Sequence, residues 1–135
     1  MALITWGPAL AVGVKEIDDQ HMKLIELVNK LNDAMHAGQG RDALGPILAE
    51  LVRYTVYHFG TEERLMGTHN YADQEAHKGE HKKLVADVSA FKTKFDGGNA
   101  MISTEIMNFL RDWLSKHIMQ TDKRFGQALN KAGVK

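Results

Sequence analysis

The stretch VYHFGTEERLM, residues 56–66, constrains the fold of this chain more than any other. It has helical periodicity, with an apolar stripe through Leu48, Leu51, Val52, Thr55, Leu65 and Met66. His58 and Glu62 fall on that same stripe, one turn apart. A face meant for the core therefore carries an imidazole and a carboxylate. Burying such groups without partners costs several kcal/mol or forces them neutral, so whatever packs against this helix must compensate them.

Breakers divide the 135 residues into four helical segments. The first is expected at about 19–37, capped by Asp18 or Asp19 and ending near Gly38 and Gly40, with a stripe of His21, Leu24, Ile25, Val28, Leu31 and Met35. The second, about 43–66, starts between Asp42 and Pro46, because proline is tolerated in a first turn, and stops near Gly67. The third, about 73–95, carries His77, His81, Leu84, Val88, Phe91 and Phe95 and is ended by Asp96, Gly97 and Gly98. The fourth, about 103–119, opens at Ser103 as N-cap and carries Ile106, Phe109, Leu110, Trp113, Leu114 and His117. No strand alternation or repeat intervenes. Short connections favour antiparallel neighbours, so the expectation is an all-α, up-down-up-down four-helix bundle forming a single domain over residues 1–135. Residues 1–17 are too irregular for a fifth helix and are expected as an arm across the bundle, with Trp6 and Val14 packed down.

Composition narrows the function classes. A formal net charge of zero lacks the basic excess of a nucleic-acid binder. No apolar run approaches the roughly 20 residues that span a bilayer, and the N-terminal segment lacks the basic start of a signal peptide. The absence of cysteine removes disulfides, thiolate metal sites and thiol nucleophiles, and fits a reducing cytosol, the expected compartment. The compositional oddity is seven histidines.

Five of those histidines lie on the apolar stripes: His21, His58, His77, His81 and His117, joined by Glu62 and, just beyond the last stripe, Asp122. Spacings of four put His58 with Glu62, and His77 with His81, on common faces. His21 and His77 lie near the starts of their helices, and His58 and His117 near the ends of theirs, so an antiparallel bundle brings all four to one level. A lone histidine on an apolar face is usually a satisfied core residue, but five of them would need dedicated partners that these stripes do not offer. His36 and His69 lie off the stripes and read as solvated. Imidazole and carboxylate without thiolate suit iron, manganese or zinc, and two carboxylates among five imidazoles suggest two bridged ions. With Glu62, Asp122 and an oxo or hydroxo group bridging, three histidines fill one ion and two leave the other with an open position. Asp122 follows His117 by five residues, which in a regular helix would turn it about 140° away. The helix must therefore break, loosen or contain a π-bulge there.

The pattern resembles the hemerythrin family, and within it the single-domain bacteriohemerythrins. The resemblance rests on DDQH ending at His21, HFGTE from His58 to Glu62, HKGEH from His77 to His81 and HIMQTD from His117 to Asp122, and extends from Trp6 to about Phe125. It implies that His77, His81 and His117 hold a six-coordinate iron, that His21 and His58 hold a five-coordinate iron, and that Glu62 and Asp122 bridge them. It implies reversible dioxygen binding, with two electrons from the iron pair and a proton from the bridging hydroxide. Phe59, Trp113, Leu114 and Ile118 match the family's apolar oxygen-pocket positions. The family often places a tyrosine after the last aspartate, where this chain has Phe125.

The expected role is therefore oxygen storage, delivery to an oxygen-using enzyme, or buffering, by a monomer that is not an enzyme. Neutral imidazoles favour this over the carboxylate-rich shells of di-iron oxygenases. The alternatives are a di-iron oxidase or peroxidase, a nitric-oxide-handling protein, or an oxygen-sensing module acting through a separate partner.

Overall fold

The computed structural model describes residues 2–135, and no strand occurs among the described residues. A 3-10 turn at Pro8–Leu10 precedes α1 (Lys15–His36), α2 (Arg41–Thr68), α3 (Gln74–Asp96) and α4 (Thr104–Lys116). One turn of π-helix, His117–Asp122, then runs directly into α5 (Lys123–Lys131). α1 packs along α2 and against α4, and α2 packs along α3. The result is an antiparallel four-helix bundle whose fourth rod is α4, the π turn and α5 together. One core takes in Leu24, Leu27 and Leu31 from α1, Leu48 and Met66 from α2, Phe95 from α3, Met107 and Leu110 from α4, and Leu129 from α5.

Several boundaries differ from the sequence expectation. The fourth rod does not stop at 119 but continues to Lys131, because Phe125 and Leu129 extend its buried face past the π turn. Within it the stripe runs through Met107, fully buried, while Phe109 is 43% exposed. α1 starts at Lys15, with Val14 rather than Asp18 or Asp19 at its N-cap. The Asp18 carboxylate instead accepts the Val12 amide at 2.8 Å, so the capping chemistry serves the arm and not the helix. α2 starts at Arg41, which leaves Pro46 inside the helix. There the proline forgoes a bond to the carbonyl of Asp42, an exposed residue. Ser103 does cap α4, accepting the Ile106 amide at 3.3 Å.

Residues 2–14 form the arm. Ile4, Leu10, Val12 and Val14 are buried, and Trp6 packs half-buried against the core. Asn29 clamps the arm by accepting the Ile4 amide and donating to the Ile4 carbonyl, both at 2.9 Å. The closest approach is at α5, where a Cβ placed on Gly126 would lie 2.2 Å from the Val12 carbonyl oxygen and 2.9 Å from its Cβ. Only a residue without a side chain lets the arm lie this close to the rod. Gly126→Ala is therefore expected to destabilise the fold by about 1–3 kcal/mol, the usual cost of overpacking. A urea titration against the parent measures it, and an unchanged midpoint would mean that the arm is free to shift.

Candidate metal centre

Each chemical side chain is delivered by a rod of the bundle. His21 lies in the second turn of α1, His58 and Glu62 in the last turns of α2, and His77 and His81 in the first turns of α3. His117 and Asp122 are the first and last residues of the π turn. That turn closes i→i+5 bonds, so residues five apart stack over one another. It sets Asp122 Oδ1 3.1 Å from His117 Nε2, which resolves the awkward spacing without breaking the rod.

All seven residues expected from the sequence meet at one end of the bundle, and all are 0–3% exposed. His36 and His69 are exposed and distant in role, as their positions suggested. The five imidazoles aim Nε2 inward. His21 and His77 approach Asp122 at 2.9 and 2.8 Å, and His58 and His81 approach Glu62 at 3.3 and 3.0 Å. The donor atoms fall into two groups, each spanning no more than 4.8 Å: Glu62, His77, His81, His117 and Asp122 in one, and His21, His58, Glu62 and Asp122 in the other. Both carboxylates belong to both groups.

Close as these contacts are, most lack hydrogen-bond geometry. Among the described residues, the buried side-chain polar atoms without a hydrogen-bond partner are both oxygens of Glu62 and of Asp122, both ring nitrogens of His21 and of His77, and Nε2 of His58. Orphaned buried polar atoms are rare and need an explanation. Two cations between these donors would give the inward-facing atoms partners. Two acidic groups with five imidazoles and no sulfur is a donor set that fits a first-row metal pair.

Without metal, protons take its place. Burial would lower the pKa of His21, but Asp122 and Glu62 outweigh it and raise it from 6.5 to about 9. The same opposition lifts His77 to about 9 and raises His117. Burial would raise Glu62, yet the charge of His58 and the close approach of the His21, His58 and His77 rings hold it well below 4.5. Asp122 is likewise held below its ordinary range, against burial and the Glu62 charge, by His117 and His21.

An outer set of partners orients the rings. His81 Nδ1 lies 3.1 Å from Glu63, His117 Nδ1 2.9 Å from Glu80, and His58 Nδ1 2.7 Å from Gln20. Thr121 donates to Glu80 at 2.9 Å, and Gln20 donates to Thr61 at 3.3 Å. Burial would raise the Glu80 pKa, but the bonds from His117 and Thr121 bring it below 4.5. None of these outer residues stood out in the sequence, where each reads as an ordinary surface or helix residue. Their one signal is adjacency, since Gln20, Glu63, Glu80 and Thr121 each lie one position from a cluster residue.

The four expected pocket residues surround the same end. Phe59 stacks on His81 with centroids 3.8 Å apart, and Trp113 stacks on His117 at 4.5 Å. Phe59, Trp113 and Leu114 help line an apolar cavity of about 30 Å³, with Leu24, Leu84 and Leu110 in its wall. Ile118 is 1% exposed beside the cluster but does not line that cavity.

Residues 12–129 match the hemerythrin HHE cation binding domain. The chain belongs to the hemerythrin family. It is 41% identical over 131 residues to a bacteriohemerythrin of Methylococcus capsulatus, covering 96% of this chain and 99% of that one. It is 34% identical to a bacteriohemerythrin of Pseudomonas aeruginosa over 96% of this chain and 83% of that one. A solved wild-type hemerythrin superposes with a TM-score of 0.89 at 42% identity, covering 95% and 98% of the two chains. The buried histidine and carboxylate cluster is typical of the hemerythrin di-iron site, and no helix among the described residues is long and apolar enough to cross a membrane.

The charge balance generates a prediction for metal-stripped protein. His21 and His77, raised from 6.5 to about 9, contribute stability that is fully present below 6.5 and is lost as pH rises through about 9. Glu62 and Asp122, both lowered, contribute stability that is present above their ordinary 4.5 and 3.8 and is lost as pH falls through their depressed values. The thermal midpoint of stripped protein is expected to fall on going from pH 6.5 to above pH 9, whereas metal-loaded protein, its protons replaced by cations, falls less. A stripped protein with no alkaline decline would contradict the ion pairing.

Proposed function

We propose that this hemerythrin-family chain binds dioxygen reversibly at two iron ions, for storage, delivery or buffering rather than as an enzyme. His77, His81 and His117 would hold one ion, and His21 and His58 the other. Glu62 and Asp122 would bridge them together with an oxo or hydroxo group. The observation that carries this reading is the unequal division of donors, three imidazoles against two around shared carboxylates, beside a small apolar cavity. When bound, such a pair supplies two electrons and one open position to dioxygen, and its bridging hydroxide supplies the proton.

The chain's own part is to hold the donors and keep the neighbourhood dry and aprotic. The cavity of about 30 Å³ is enough for one water-sized guest. Its wall offers a single hydroxyl, on Thr55, which already donates to the Leu51 carbonyl at 2.7 Å. Excluding water and anions protects an oxygen complex from displacement and from loss of superoxide. Phe59 and Trp113, stacked on ligand rings, and Leu114 and Ile118 would do this excluding. The cysteine-free composition suits action in a reducing cytosol.

Well-loaded protein is expected to contain two iron atoms per chain and, once reduced, to develop a visible charge-transfer band in air that disappears on deoxygenation. Elemental analysis giving one tightly bound ion would contradict the bridged pair. Rapid continuous oxygen consumption with a reductant would favour an oxidase instead. Leu114→Ala opens the wall without removing a donor, so it should retain both irons and oxidise to the oxygen-inert ferric form faster than the parent. Equal rates, followed spectrophotometrically, would remove Leu114 from the shielding role. Glu62→Gln keeps the shape but replaces the charged bridge with an amide, and should lower the iron content. An exposed helical glutamate would tolerate the change within about 0.5 kcal/mol and with no effect on metal.

A further inference from the structure

The partners behind the imidazoles are unevenly charged. On the three-histidine side, Glu63 Oε2 lies 3.1 Å from His81 Nδ1 and Glu80 Oε1 lies 2.9 Å from His117 Nδ1. Glu80 is itself steadied by the Thr121 hydroxyl, which donates to Oε1 at 2.9 Å and reaches Oε2 at 3.2 Å. On the two-histidine side, the partner of His58 Nδ1 is the neutral Gln20 amide oxygen at 2.7 Å. His21 Nδ1, and on the three-histidine side His77 Nδ1, have no hydrogen-bond partner among the described residues.

We propose that Glu63 and Glu80 are positioning residues that lock His81 and His117 with Nε2 free to face the metal and bias the three-histidine ion toward its ferric state, while Gln20 leaves the two-histidine ion without that bias. The inference rests on the di-iron reading above. A carboxylate that accepts the Nδ1 proton fixes the ring tautomer and draws the imidazole toward imidazolate, which strengthens Nε2 as a donor. A stronger, more anionic donor favours the higher metal charge. An amide oxygen fixes the same tautomer but pulls less on the proton, because charge-assisted hydrogen bonds are roughly twice as strong as neutral ones. The arrangement thus separates two jobs that one set of hydrogen bonds could have combined. Every partnered ring is oriented, but only those on the three-histidine side are also made electron-rich.

Both glutamates stand where substitution leaves the core intact. Their side chains are 36% and 43% exposed. Each lines a surface cleft that reaches a ligand ring: Glu63 with Lys78, Lys82 and His81 in one of about 430 Å³, and Glu80 with Lys116, Arg124 and His117 in one of about 310 Å³. A purely structural role would require only an acceptor of the same shape, which glutamine provides.

The test uses the iron-loaded full chain as parent, Glu63→Gln, Glu80→Gln and Gln20→Glu. Iron content is read first and the reduction potential of the centre second. Glutamine at 63 or 80 is expected to keep two irons and to weaken ferric relative to ferrous binding about tenfold, the lower end for outer partners. That tenfold is a rise in potential of about 59 mV for one electron. Gln20→Glu, which adds a carboxylate behind His58, is expected to lower the potential. Potentials that stay at the parent value in the glutamine variants, or that move the same way in Gln20→Glu, overturn the proposal while leaving the di-iron reading standing. A parent that takes up fewer than two irons overturns both.

Discussion

Two carboxylates, Glu62 and Asp122, are fully buried at one end of a helical bundle, and the rest of the molecule is arranged around that fact. Neither is tolerable alone, because an uncompensated buried charge costs far more than any single packing contact contributes. Five imidazoles converge on them from all four rods, so the site is also the place where those rods are tied together. With metal in place, the carboxylates and imidazoles share cations. Without it, His21 and His77 hold protons against the two carboxylates, which raise their pKa to about 9.

Meeting this requirement shaped the backbone. A regular helix cannot present His117 and Asp122 to the same point, so the fourth rod gives up its 3.6-residue repeat for one π turn and recovers it at Lys123. The turn persists because the rod is held on both sides of it, by Met107, Leu110 and Leu114 before and by Phe125 and Leu129 after. The N-terminal arm braces this far part, with Val12 lying against Gly126 and Asn130 donating to the Gly13 carbonyl at 3.0 Å. An irregular segment and a glycine thus serve the geometry of the site by bracing the rod that carries His117 and Asp122.

Around the charged cluster, two kinds of neighbour divide the work. Aromatic faces and Leu114 make a dry wall, and hydrogen-bonding residues set the orientation of the rings. The wall covers the centre with apolar surface, while the outer partners fix the rings of His58, His81 and His117. Carboxylates stand behind the three-histidine group and an amide stands behind His58, so the asymmetry of the inner donors is repeated one layer out.

Apolar periodicity and four-residue spacing belong to single helices, and they sufficed to pick out the bundle and six of its seven converging residues. His58 with Glu62, and His77 with His81, are legible because a helix face is a local property. The five-residue step to Asp122 was equally legible as a demand for irregularity. It did not reveal that the rod would absorb the step as a π turn and run on to Lys131, since that depends on packing of Phe125 and Leu129 against other elements. Asp18 reads as a helix cap, yet its carboxylate holds the Val12 amide in the folded arm. Glu63 and Glu80 carry no local mark beyond adjacency to a cluster residue, because their partners lie 18 and 37 residues away in sequence. Periodicity assigns a residue to a face of its own helix, but the rotation and axial offset between helices decide which long side chain reaches which ring, and only the packed structure sets those.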